Sequence, residues 1–208
     1  MNRKLSTVVF SIATAGVLVL AGCSSSGTDS AAGSSSSAAA SPTGTPASGP
    51  HNTADVTFAT DMIPHHSQAV EMADMALKQA TSTEVKSLAT QIKAAQDPEI
   101  QTMSGWLAGW GAPVPAASMD MGGMDMGSGT GMMSDADMTK LGAARGAAFD
   151  QMWVSMMIEH HTGALDMAKT ELASGQNPDA KALAQSIVTS QTAEITTMKQ
   201  LQTTLPSA

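Results

Sequence analysis

Four of the five histidines fall into two pairs, His65-His66 and His160-His161. Each pair has one methionine three residues before its first member, Met62 or Met157, and another seven residues after it, Met72 or Met167. Imidazole nitrogen and thioether sulfur together make a metal-ligand set. A neutral thioether binds iron or manganese poorly and Cu(I) well, whereas imidazole suits both copper states. Carboxylate-bridged di-iron bundles use Glu-x-x-His on two of their helices. Here Met62-x-x-His65 and Met157-x-x-His160 stand instead, which argues against oxygen-activating di-iron chemistry and for copper. A lone histidine on an apolar face is more often a core residue bonded to a neighbour, and a methionine stripe is more often filler. The duplication of the whole set is what favours ligation.

The elements that must position these residues are themselves duplicated. Residues 55–103 align with residues 150–198 at a constant offset of 95, without a gap. Asp55/Asp150, Ala69/Ala164, Leu77/Leu172, Gln96/Gln191, Glu99/Glu194, Ile100/Ile195 and Met103/Met198 are among the identical pairs. A self-match of this density implies two equivalent halves. Each half reads as two helices. The first pair is expected at about Asp55–Lys78 and Thr83–Trp110. In the second copy, Ser134 and Asp135 can cap one long helix to about Ala173, which Gly175 stops. Asn177-Pro178 then opens a last helix running to about Thr203. Pro64 and Pro98 fall inside the first pair, where a kink is allowed, while the second copy has Glu159 and Ala193. The expected fold is all-α, a ferritin-like four-helix bundle built from two repeated helical hairpins.

On a helical wheel Asp55, Met62, Ala69 and Ala73 cluster on one face, with His65 and His66 flanking Met62. In the second helix Val85, Ala89, Ile92, Gln96, Ile100, Met103 and Leu107 share a face, with Glu99 at its edge. Gln96 and Glu99, with Gln191 and Glu194 in the second copy, are polar groups on or beside apolar stripes. They need partners when buried, and they are candidate ligands or supports for ligands. The connection between the hairpins, about 111–134, carries Met119, Met121, Met124 and Met126, then Met132-Met133, among glycines. Clustered thioethers on a glycine-rich backbone can wrap a soft cation. These runs resemble the methionine motifs of bacterial copper-resistance proteins, and the plain alternative is a low-complexity linker.

Upstream of the domain, Arg3 and Lys4 precede an apolar stretch from Val8 to Leu20, the pattern of an export signal. It ends in Leu20-Ala21-Gly22-Cys23, which resembles the lipobox of bacterial lipoproteins and marks Cys23 for lipidation. Cys23 is the only cysteine, so no disulfide forms within one chain. Residues 1–22 read as signal peptide, 23–53 as a flexible Ser/Ala/Pro-rich tether, and 54–208 as the domain, with copies at about 55–110 and 135–204. His51 lies in the tether and reads as incidental. Without Arg3 and Lys4 the chain has 8 basic against 18 acidic residues, a net charge near −10. That excludes nucleic acid as a natural partner and suits a cation.

His65-His66-Ser67-Gln68-Ala69-Val70-Glu71-Met72-Ala73 and His160-His161-Thr162-Gly163-Ala164-Leu165-Asp166-Met167-Ala168 resemble the repeated motif of the domain of unknown function 305 family. The lead-in Met62-Ile63-Pro64 is similar too, while Glu159 departs from it in the second copy. The resemblance spans about residues 54–204. It implies a ferritin-like bundle, secreted or lipid-anchored, with copper binding in some members and no known enzyme activity. The combined expectation is an extracytoplasmic, lipid-anchored copper-binding protein that sequesters Cu(I) or Cu(II), or passes it to or from a partner protein. His65, His66, His160 and His161 are the main ligands, Met62, Met72, Met157 and Met167 the soft co-ligands. The alternatives are a ferritin-like metal-dependent oxidase and a structural module without metal.

Overall fold

The computed structural model describes residues 49–116 and 131–207. Cys23 and the loop residues Met119, Met121, Met124 and Met126 lie outside them. Five helices follow one another: α1 (Thr53–Gln79), α2 (Thr83–Gly109), α3 (Asp135–Ala143), α4 (Gly146–Ser174) and α5 (Pro178–Thr204). Among the described residues there is no strand, and no helix is long and apolar enough to cross a membrane. The four long helices form the bundle. α1 packs on α2 and α4 packs on α5, while α1 and α4 lie against each other and α2 barely touches α5.

Local chemistry sets the helix starts. Asn52 caps α1, its side chain accepting from the amides of Ala54 and Asp55, and the Asp55 carboxylate returns the favour to the Asn52 amide. Ser82, Ser134 and Asn177 cap α2, α3 and α5, and Pro178 occupies the first turn of α5. Helices α1 and α2 run through Pro64 and Pro98 without a break.

The long helix expected from Ser134 to Ala173 is instead two helices. α3 ends at Ala143, Ala144 and Arg145 are extended, and α4 begins at Gly146 with φ of +62°. Glycines at 142 and 146 weaken helix here, and the left-handed backbone at Gly146 suits a residue without a Cβ. The Arg145 guanidinium holds the corner, donating to the carbonyls of Gly142 and Ala144 and to the Gln79 side chain.

Two apolar clusters fill the bundle. One gathers Met72, Val85, Ile92, Phe149, Trp153, Met157 and Met198. The other gathers Phe58, Met62, Ile63, Met103, Trp106, Leu107 and Ile187. The four histidines of the two pairs are all buried.

Candidate metal centre

The helical period that buries Met62 and Ala69 on α1 also carries His65 and His66 inward, and α4 does the same with His160 and His161. α1 and α4 run antiparallel. His65 meets His160, and seven residues along α1 and back along α4 the Trp153 indole donates to the Met72 carbonyl at 2.8 Å. The rings of His65 and His160 pack with centroids 3.8 Å apart, tilted 38°. His66 and His161 lie outward of this pair, 6.4 and 6.3 Å from their neighbouring rings.

Each outer histidine is oriented by a carboxylate. His66 Nε2 is 2.7 Å from Glu99 on α2, and His161 Nε2 is 2.7 Å from Glu194 on α5. Glu99 and Glu194, read as candidate ligands from the sequence, thus lie on the histidines themselves. A carboxylate against Nε2 holds the ring by that nitrogen and leaves Nδ1 for another partner. Nδ1 of both His66 and His161 is buried with no hydrogen-bond partner. Such an orphan costs free energy in an apolar interior. A bound cation would recover that cost, so the donor set fits a soft metal.

The surroundings of His160 are those of neutral imidazole. Burial, then the neighbouring His65, His161 and His66, holds His160 well below its ordinary value. Neutral imidazole is the form that ligates. Gln96 and Gln191 are also buried, each with an unpartnered side-chain oxygen. Among the described residues no three His, Cys, Asp or Glu side chains converge into a metal cage. Met62 and Met157 stand one helical turn before the layer and are fully buried. Met72 and Met167 stand two turns beyond it. Met72 is enclosed, whereas Met167 is half-buried and lines a cavity of about 240 Å³ with Phe58, Asp61 and Glu171.

Three features went unread in the sequence. Asp55 and Asp150 face inward as the wheel suggests, yet each binds the other hairpin's turn rather than the histidines. Asp55 accepts from the amides of Gln176 and Asn177, and Asp150 from those of Thr81 and Ser82. Their place a few residues before a Met-x-x-His motif gave no sign of that. Glu171 is buried against Asp55. Burial, then the neighbouring carboxyl of Asp55, pushes it up to about 7, against the pull of Lys181. His51, set aside as part of the tether, stacks on Trp110 with centroids 4.7 Å apart.

The family model described as domain of unknown function (DUF305) matches residues 55–202. Among curated proteins none matches. Solved structures do. A DUF305 protein of Streptomyces coelicolor, described as secreted, is 38% identical over 71% of this chain and 91% of its own, with a TM-score of 0.64. A DUF305 fragment from Deinococcus radiodurans is 29% identical over 76% of this chain and 100% of its own, with a TM-score of 0.68. CopM in its Cu(II)-bound form is 36% identical over 72% of this chain and 96% of its own, with a TM-score of 0.62, and it also exists in Cu(I)- and silver-bound forms.

Proposed function

This chain belongs to the DUF305 family, and from that premise we propose that it binds copper at its central histidine layer and stores or hands on the ion outside the cytoplasm. The observation that carries the reading is the pair of buried, unpartnered Nδ1 atoms on His66 and His161, each on a ring whose Nε2 is held 2.7 Å from a glutamate. Two imidazoles presented this way, with thioethers of Met62 and Met157 one turn off, form a soft donor set. The copper- and silver-bound forms of CopM support the same class of ion.

In this reading His65 and His160 complete the layer, Glu99 and Glu194 orient the outer rings, and Gln96 and Gln191 offer amide oxygen. Met72 and Met167 serve as softer stations along the helices. The loop residues Met119, Met121, Met124 and Met126 capture Cu(I), and a lipid on Cys23 holds the protein at the membrane. Copper is cargo here, and catalysis is no part of the reading.

The test is a copper titration of the soluble domain followed by thermal melts. Copper should raise the midpoint of the unaltered protein, because a ligand specific to the folded state stabilises it. A variant with His66→Ala and His161→Ala should fold and show no rise. An equal rise in both would refute the assignment. Removing residues 119–126 should lower the number of Cu(I) ions bound while the bundle stays folded. Cys23→Ser should free the protein from membranes.

A further inference from the structure

We propose that residues 131–133 form a fixed strap across the histidine layer, anchored by Gln68 and Gly163, and that this strap governs how fast a bound copper ion leaves. The proposal rests on the copper reading above and adds its regulation.

The strap has two anchors. At one, the Gln68 side-chain amide donates to the Met133 carbonyl at 2.8 Å, and the Met133 amide donates back to Gln68 Oε1 at 2.8 Å. This reciprocal pair pins the strap to α1. At the other, Gly131 has φ of +72° and lies so close to α4 that an added Cβ would come within 2.5 Å of the Glu159 carbonyl oxygen and 3.1 Å of Gly163. Only glycine at 131 permits that approach.

The anchors bracket the layer. Gln68 lies three residues after His65, and Gly163 three residues after His160. The two occupy matching places in the aligned halves: one side chain reaches for the strap, and the other position recedes to admit it. Because α1 and α4 run antiparallel with His65 against His160, the line from Gln68 on α1 to Gly163 on α4 passes the level of those rings. The Met133 side chain packs against the cluster around Met72 and Trp153, which fixes the strap further. A plain linker needs none of these attachments. An ion between α1 and α4 that leaves through this face must displace the strap first.

The experiment loads the full chain with Cu(I) under anaerobic conditions, counts the bound ions, then follows their extraction by excess Cu(I) chelator. Gln68→Ala removes both bonds of one anchor, and Gly131→Ala strains the other. Each should speed extraction from the bundle about tenfold or more, with the copper count unchanged and the metal-free melting midpoint shifted by only a few degrees. Gln151→Ala loses two comparable bonds, to the carbonyls of Leu205 and Pro206, away from the layer, and should leave the rate alone. Extraction at the unaltered rate in both strap variants would overturn the proposal, as would equal acceleration by Gln151→Ala. A chain that takes up no copper before extraction would instead sink the copper reading, and this proposal with it.

Discussion

The two ends of the bundle solve one problem with one residue, and then differ. At one end Asp55 accepts from the first amides before α5, and at the other Asp150 accepts from those before α2. Helix starts leave amides without partners, and a buried carboxylate satisfies several at once. Beside Asp55 stands Glu171, buried and with its pKa raised by burial and by that neighbour, whereas the matching position beside Asp150 is Ala76. A small apolar side chain thus suffices for the turn. The carboxyl pair is an addition peculiar to one end, and it makes that end sensitive to pH. The centre shows no such difference, since both outer histidines meet their glutamates at 2.7 Å.

The largest effect expected concerns that matched centre. His66→Ala with His161→Ala should abolish copper binding by the bundle, while either change alone should weaken it to a similar degree, as measured by competition against a chelator. A strongly unequal pair of single variants would break the equivalence of the two halves.

Next come the ends. Asp150→Ala and Asp55→Ala should each lower stability by about 3 kcal/mol, because buried amides lose a charged acceptor. Denaturant melts check this. Asp55→Ala should prove the milder of the two at neutral pH, since it also relieves Glu171 of a neighbouring carboxylate.

Glu171→Gln sharpens the contrast through pH. The folded chain holds a proton on Glu171 up to about pH 7, against an ordinary value of 4.5. The folded state therefore binds more protons between those values, and the stability contributed is full below 4.5 and lost as pH rises through 7. Asp55 is the opposite case. Burial pushes it up, but the amides of Asn52, Asn177 and Gln176, with the neighbouring Glu171 carboxyl, outweigh that and hold it below 3.8. Its contribution is lost only as pH falls through that lowered value, outside the window of Glu171. The variant should flatten the fall in melting midpoint between pH 4.5 and 7. An unchanged slope would show that Glu171 does not carry it.

The smallest effect is at Trp153. Replacing it with Phe keeps most of the buried ring and removes the bond to the Met72 carbonyl, for about 1 kcal/mol in a denaturant melt.

Much of this arrangement was legible because it follows helical periodicity. The inward faces of α1 and α4, with His65, His66, His160 and His161 on them, came from the wheel, and Asn177-Pro178 marked the start of α5. The pairing of Glu99 with His66 did not. It depends on how α2 lies along α1, a distance in space across 33 residues of chain. The break between α3 and α4 was hidden because Ser134 is a sound start signal and Gly175 a sound stop signal, and a single glycine such as Gly146 does not by itself end a helix. Gln68 was visible within the histidine motif, yet its partner is a backbone carbonyl 65 residues away. Long-range contacts of that kind leave no local pattern.

X-ray absorption at the copper edge, recorded on the loaded domain lacking residues 119–126, reads the ligands of the ion itself. With the loop sulfurs gone, the expected spectrum shows imidazole scattering from the histidine layer, with thioether sulfur beside it in the Cu(I) form. A shell of oxygen alone, without the imidazole pattern, would contradict it.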